Sequence, residues 1–531
     1  MKIYRVCDCS RLLPAVVVSL VFTAVPARAA IDVDSIGTTG VDYQNYGPAW
    51  QRIVNLPGTG IYVAWLKTGM FANFYSYATR TWRGEVEVFG SQRNAAGNLA
   101  VCLNPTSQYY RSTFISSYIN RTPKWPIVAV ESVAGSGTFV MREPDSALMG
   151  CQKPPIAFTQ NGGLHLLCAD PTTQDTLLYS RSSDYGSTWS QPVAISGSNL
   201  PRDPTYNICA SDSDQCLAAI WTNPDSAALW VNISTDGGTT WSGPSNLFPV
   251  PSTIANARPG RFSGYGIFDR NNRLNVVTQV WNGTNQHPAE IWHYQAGRNP
   301  AWSLVYRFAP GSVLAQAEPG EPFVCRPTIG ERRSDGRLFV AWMNYDSVNY
   351  EPQTQIARAD IFVAQSENNG INWSRPMRLT GPDPGSRLAP GLAATVTDTL
   401  VLVCVCDQIA GVYESGHGTQ TTNQVTVLRV PVAELPGVAE EEPNDEGRMT
   451  NGATIVRGVL FLPRTLESQS GRPRAQPSTP WTLFSLSGQQ VMTLHPGPND
   501  VRQLSPGIYF VISDADGGHN ASSRTKIVIQ R

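Results

Sequence analysis

The sequence predicts an all-β protein: a six- or seven-bladed β-propeller followed by a small C-terminal β-sandwich. Three observations lead there. The 531 residues include 45 glycines and 40 prolines, enough to punctuate many turns, together with 14 tryptophans. A short apolar strand recurs along the chain, as 61-IYVAW-65, 99-LAVCL-103, 164-LHLLCA-169, 216-CLAAIW-221, 274-LNVVTQVW-281, 338-LFVAW-342 and 400-LVLVCVC-406. Most copies follow a turn such as 161-NGG-163, 270-RNNR-273 or 334-SDGR-337 and precede a second strand closed by a tryptophan.

Each unit then holds three or four antiparallel strands. The second strands are 74-FYSYA-78, 113-TFISSY-118, 177-LLYSRS-182, 229-LWVNIS-234, 290-EIWHY-294 and 361-IFVAQS-366, and the closing residues are Trp82, Trp125, Trp189, Trp241, Trp302 and Trp373. An earlier strand precedes several units, as in 153-KPPIAF-158, 257-ARPGRF-262, 325-CRPTIG-330 and 389-APGLAA-394. One such sheet cannot bury both of its faces, whereas a ring of them buries each face against a neighbour. Seven units are countable. Six fit if the stretch near residues 95–130 is an insertion, or if the two ends share a blade.

The chain divides into four segments. Residues 1–30 read as a secretory signal peptide: Lys2, Arg5 and Arg11, then 12-LLPAVVVSLVFTAV-25, then the small-x-small pattern Ala27-Arg28-Ala29. That apolar run is too short to span a bilayer, and no later stretch is long and apolar enough. The propeller occupies 31–432, an acidic Pro/Gly linker 433–452, and the β-sandwich 453–531. The expected location is secreted or on the outer cell surface. A formal net charge of −1 without a basic block gives no support for a nucleic-acid partner. Eight cysteines follow the signal segment, none in Cys-x-x-Cys, and six histidines are scattered. No metal site and no cofactor are expected. Cys404 and Cys406 share one face of one strand and read as buried free thiols.

The octapeptide 182-SSDYGSTW-189 returns as 234-STDGGTTW-241 and, loosened, as 366-SENNGINW-373. Directly after a strand it reads as a hairpin corner. Gly186 and Gly238 supply backbone freedom. Asp184 and Asp236 accept from backbone N–H groups two residues on. Trp189 and Trp241 lie beneath as apolar plates. This pattern resembles the Asp-box, or bacterial neuraminidase repeat, of sialidases and their relatives. Ser182, Asp184, Gly186, Thr188 and Trp189 match it, as do Ser234, Asp236, Gly238, Thr240 and Trp241. The third copy keeps Ser366, Gly370 and Trp373 but has Asn368 for Asp. The resemblance implies a sialidase-like propeller over about residues 45–432, with the boxes as scaffold on the periphery.

The same resemblance implies an arginine triad, a Tyr/Glu nucleophile pair and an aspartic acid/base. Here the chain departs from it. Arg52 in 50-WQRIVN-55 lacks the expected neighbours, and no aspartate lies between Asp42 and Asp145. Arg258 and Arg326, in matching Arg-Pro positions of two units, are the candidate ligand-binding residues. A planar fork on an innermost strand suits a carboxylate; each arginine also suits a strand cap or a partner for a nearby acid. Tyr413-Glu414 and Tyr350-Glu351 contain the nucleophile pair's residue types, and His287, His293 and His417 are possible acid/base groups.

The tail, 483-LFSLSGQQVMTLHPGPNDVRQLSPGIYFV-511 with 525-TKIVIQR-531, resembles the type A C-terminal sorting domain of the type IX (Por) secretion system. That implies secretion machinery as a partner. The leading expectation is an exported, surface-attached propeller that binds extracellular glycans or another ligand. The enzyme alternative is an exo-α-sialidase or related glycoside hydrolase, and a purely structural surface protein is the third.

Overall fold

The computed structural model describes residues 31–437 apart from breaks at 45–50, 91–97, 120–122, 144–147, 152, 171, 174, 198–199, 201–204 and 311–312, and in the tail 454–456, 459–462, 481–485, 489–495, 497–512 and 524–529. The expected signal peptide, and the linker beyond Gly437, lie outside the described residues. The chain forms two compact units, 1–439 and 440–531.

Among its described residues the first unit carries seven mainly antiparallel sheets, most with their strands side by side in chain order. The first sheet takes Ile53–Leu56, Gly60–Leu66, Met70–Ser76 and Thr81–Trp82, with Val86–Phe89 beside the third strand. The second takes Leu99–Val101, Thr113–Ile119, Trp125–Glu131 and Phe139–Arg142. The third takes Ile156–Phe158, Leu164–Ala169, Leu177–Ser182 and Val193–Ala194, and the fourth Thr205–Ala210, Leu217–Asn223, Ala228–Ser234 and Ser245–Asn246. In the fifth, Arg258–Pro259 and Tyr265–Phe268 both pair with Leu274–Trp281, followed by Ala289–Gln295 and Trp302–Phe308. The sixth takes Val324–Arg332, Arg337–Tyr350, Ala357–Ser366 and Met377–Arg378, with Thr395–Val396 parallel to its first strand. The seventh takes Ser386–Leu392, Thr399–Asp407 and Asn423–Pro431, and Asp32–Thr39 completes it on the outside. First strands adjoin one another in sequence from the first sheet to the seventh, and Thr395–Val396 and Thr399–Asp407 bring the series back to Ile53–Leu56. The ring is a β-propeller closed by its own N-terminal strand.

The second strands show why the sequence chooses this arrangement. Gly60–Leu66, Leu217–Asn223 and Leu274–Trp281 are buried at every position. A strand covered on both faces is continuously apolar rather than alternating. The apolar side chains sort into clusters between neighbouring sheets. Ile53, Ile61, Val63 and Trp65 meet Val401, Val403, Val425 and Val427 between the first and seventh. Trp65, Trp221 and Trp342 end the recurring strand in three sheets and are fully buried. Each removes on the order of 200 Å² from water, about 5 kcal/mol of transfer free energy before conformational entropy is subtracted.

One unit is read out of register from sequence. Leu99–Val101 is the innermost strand of the second sheet rather than its second strand, and Trp125 opens a strand rather than closing the unit. Cys151 and Cys168 form a disulfide; among the described residues Cys404 is free and buried, and Cys406 free and half-buried.

The tail unit has a five-stranded sheet in the order Thr454–Val456, Arg524–Ile529, Gly507–Ile512, Trp481–Ser485, Gln490–Leu494, and a pair Val459–Leu462 with Gly497–Asp500. Leu483, Leu494, Val501, Tyr509 and Val511 form its core. No helix among the described residues is long and apolar enough to cross a membrane.

Candidate functional site

Each sheet has a lower end, where its first strand turns into its second and its third into its fourth, and an upper end. The octapeptides sit at the lower end. Ser182 Oγ donates to Asp184 Oδ1 (2.8 Å) and accepts the Gly186 N–H (2.7 Å). Asp184 accepts the Thr188 N–H on Oδ1 (2.8 Å) and the Thr188 hydroxyl on Oδ2 (2.7 Å), and Trp189 Nε1 donates to Gly186 O (3.2 Å). Ser234, Asp236, Gly238 and Thr240 repeat these bonds. Ser366, Asn368 and Gly370 keep the frame without the threonine hydroxyl. The acid therefore reaches N–H groups farther along than the expected two residues, because the serine already occupies the nearer ones. Bonds from Thr240, then Ser234, hold the Asp236 carboxyl down at about 2. Trp189 is buried, and Trp241 and Trp373 are half-buried.

These corners also join sheets. Arg142 of the second sheet donates to Asp184 O (3.0 Å) in the third. Arg181 of the third donates to Gly237 O (3.2 Å) and Thr239 Oγ1 (2.7 Å) in the fourth. Arg298, after the third strand of the fifth sheet, donates to Asn369 O (3.0 Å) in the sixth. The defining Ser, Asp and Thr side chains of the two full copies are spent on the scaffold.

The upper end gathers the chemistry. Arg326 lies near the start of the innermost strand of the sixth sheet, with φ of 53°, and is 4% exposed. Its Nε donates to Glu321 Oε1 (3.0 Å), its Nη2 bonds the same oxygen, and the Tyr345 hydroxyl donates to Oε2 (3.1 Å). The guanidinium lies 4.6 Å from the Phe262 ring centre and 5.7 Å from that of Tyr43. Burial opposes its charge, but the Glu321 carboxylate outweighs burial and raises its pKa. Arg326 is thus held by an internal acid. Arg52 is equally enclosed, bonded to Ala389 O and to Gln44 Oε1 (3.4 Å). Burial lowers it to about 10, with the Arg326 charge adding to the effect.

Arg258 differs. It is half-buried on the innermost edge of the fifth sheet, opposite Trp281. Its side chain packs so closely under the Gly283 backbone that a Cβ there would meet Arg258 Cδ at 2.6 Å. Its Nε is buried without a hydrogen-bond partner, and among the described residues no acid pairs with it. Gly283 belongs to a groove of about 630 Å³ lined by Trp281, Thr284, Asn285, Gln286, His287 and Gln316, with Val313, Gly320 and Phe323. The lining carries amides, a hydroxyl, an imidazole and aromatic carbon, but no carboxylate. Gln286 Nε2 donates to Ala317 O and Glu318 O (both 3.0 Å), tying the groove to the acids beside it.

Those acids converge from distant segments. Asp42 accepts the Tyr413 N–H (3.0 Å) and Asn423 Nδ2 (2.8 Å), and its own N–H donates to Glu414 Oε1 (3.1 Å). Burial, with Glu414 and Glu318 nearby, raises it to about 6. Asp407, fully buried with Oδ2 unpartnered, is raised to about 7 by burial and by Asp42. Glu318 accepts the Val412 N–H (3.1 Å) and lies 2.6 Å from His417 Nδ1; burial raises it as well.

The remaining candidates separate. Tyr413 is exposed, while Glu414 is turned to Asp42. Glu351 is paired with Arg358 at 2.6 Å. His293 is fully buried on Asn275 (2.9 Å), and burial lowers it to about 3, so it is framework. His287 lines the groove, its ring 5.9 Å from that of Phe323. Asp42, Asp407, Glu318 and Glu321 were missed from sequence, since no local pattern marks them. Below this layer lies a cavity of about 100 Å³ lined by Val54, Leu56, Ile156, Phe158, Ile208 and Ile267 together with Gln51, Asn55, Asp212 and Arg333.

No protein-family profile and no curated protein matches the chain. Solved structures similar to the propeller include a PL25 ulvan lyase bound to -[GlcA(1-4)Rha3S]- (TM-score 0.49, 11% identity, 75% of this chain and 95% of that one). They also include a GH74 xyloglucanase from Xanthomonas campestris (0.40, 13%, 71% and 54%) and an α-L-arabinanase from Penicillium chrysogenum complexed with arabinobiose (0.37, 11%, 76% and 99%).

Proposed function

We propose that this is an exported, surface-attached propeller that binds an acidic extracellular glycan on its upper face, in the groove beside Arg258. One observation carries the reading: a half-buried arginine without an internal acid, set against a groove of neutral hydrogen-bonding groups. A buried cation without a counter-charge is unfavourable, so such a site gains when an anionic group arrives. Amide, hydroxyl and imidazole groups suit a polyhydroxyl ligand, and the Trp281 and Phe323 edges suit its C–H faces. Secretion through a type IX-like system, directed by the tail, belongs to the same proposal and rests on the sequence resemblance.

Glycoside hydrolysis is the second reading, favoured by the Glu318–His417 pair, in which a buried carboxylate fixes one imidazole nitrogen. The sialidase form of it asks for three arginines, and of Arg52, Arg258 and Arg326 the first and last are spent internally.

The test is affinity of the purified full chain for immobilised sulfated and uronate-bearing polysaccharides against neutral ones, with Arg258→Ala alongside. We expect acidic glycans to be preferred and the variant to lose about tenfold or more, the worth of a charge-assisted bond. Retention of neither class would sink the binding reading. Turnover of a fluorogenic sialoside, lost in the same variant, would replace it with the enzyme reading.

A further inference from the structure

Residues 408–422 join the second and third strands of the seventh sheet across the upper face. The segment, 408-QIAGVYESGHGTQTT-422, contains one acid, Glu414, and one basic side chain, His417. Three other parts of the chain hold it. From the N-terminal strand's extension, Asp42 accepts the Tyr413 N–H, Gly40 O accepts Gln420 Nε2 (3.1 Å) and Tyr43 meets Ser415 (3.5 Å). From the segment before the sixth sheet, Glu318 binds Val412 and His417. From the long hairpin of the sixth sheet, Thr354 Oγ1 donates to Ala410 O (2.6 Å) and Gln353 Nε2 to Thr419 Oγ1 (3.3 Å). At its base, Asp407 accepts the Thr421 hydroxyl (3.2 Å).

The charges facing the segment are nearly all of one sign. Asp42, Asp407 and Glu318 surround it, the segment's own exposed Glu414 bonds the Asp42 N–H, and Glu321 stands behind Glu318. Glu321 is neutralised by Arg326, and the hairpin's Glu351 by Arg358. His417 is the one basic group left to offset the first four among the described residues. Fully ionised, the buried carboxylates of Asp42, Asp407 and Glu318 repel one another in a place where water screens them poorly.

We propose that 408–422 is a proton-controlled lid beside the upper-face groove, closed while the carboxyls around Asp42 and Asp407 share protons and released as they ionise. Release frees Glu318, whose carbonyl Gln286 of the groove holds. The lid would thus regulate access to the site proposed above, and its purpose rests on that reading. Its physics does not. Burial and like charge hold Asp42 and Asp407 well above an exposed carboxyl, so the closed form keeps protons that the open form loses. Opening is therefore linked to proton release and grows with pH, by about a hundredfold or more between pH 5 and pH 8.

Hydrogen exchange of the full chain, without ligand, tests this directly. Protection of peptides within 408–422, corrected for intrinsic rates, is compared at pH 5 and pH 8, with 338–344 as internal reference. We expect about a hundredfold loss of protection in the lid and little change in the reference strand. Asp42→Asn and Asp407→Asn, singly and together, should flatten that dependence, since asparagine keeps an acceptor without the titration. Equal protection at both pH values in the unmodified chain would overturn the lid, as would an undiminished pH effect in two folded single variants. Either result leaves glycan binding to stand or fall by its own assay. Conversely, a lid that opens in a chain binding no glycan would keep the device and remove its assigned purpose.

Discussion

Two arginines in matching Arg-Pro positions meet opposite fates. Arg326 is claimed by Glu321, which enters from the loop before it, and by the faces of Phe262 and Tyr43. Arg258 has no such acid among the described residues, and its Nε is buried without a hydrogen-bond partner. Removing one partner of a buried pair leaves the other uncompensated. Arg326→Ala should therefore destabilise the propeller by about 3–5 kcal/mol in urea unfolding. Arg258→Ala should leave the unfolding midpoint nearly unchanged and act on binding alone. The sequence marked both residues by type and strand position. It could not tell them apart, because the deciding acid is five residues from one and has no counterpart near the other. Asp42, Asp407 and Glu318 were not legible for a related reason. They are separated by up to 365 positions and meet only when the ring closes.

At the scale of the element, the octapeptide answers to its own hydrogen bonds. Serine takes the near N–H, the acid the far one, and glycine makes the turn with positive φ, 87° at Gly186 and 78° at Gly238. The two glycines nonetheless differ in surroundings. A Cβ on Gly238 would meet the Tyr179 hydroxyl of the preceding sheet at 1.7 Å, whereas one on Gly186 meets its nearest atom at 3.5 Å. Gly186→Ala should cost about 1–2 kcal/mol for the left-handed backbone, and Gly238→Ala a further 1–3 kcal/mol, roughly, for the collision. Thermal unfolding of the two variants separates the terms. Ser234→Ala, which strips the Gly238 N–H of its acceptor in a buried corner, should cost about 1–3 kcal/mol. The local part of this corner was legible in the repeated spelling. Its second role, receiving Arg142, Arg181 or Arg298 from the sheet before, was not, since those arginines lie outside the motif.

Across the whole molecule, seven recurring strands and their turns made the propeller readable, because a sheet covered on both faces must spell its middle strands in apolar letters. The second sheet was misplaced by one strand, its innermost member being only Leu99–Val101. The ring should also carry a pH signature. Asp42 and Asp407 are held near 6 and 7, above their unfolded value, so the native chain binds their protons more tightly. That contribution is fully present below about pH 4 and is lost as pH rises through 6 and 7. Denaturant midpoints should fall between pH 5 and pH 8, and Asp407→Asn should shrink the fall. The strand Asp32–Thr39 has one more consequence. It is made before the rest of the ring, yet the one strand it pairs with among the described residues, Asn423–Pro431, is made nearly 400 residues later. At about 5–20 residues per second, roughly 20–80 seconds of synthesis separate the two. Throughout that interval the circle stays open. A nascent chain of this design therefore cannot lock itself shut ahead of time, and remains threadable until its last strand has emerged.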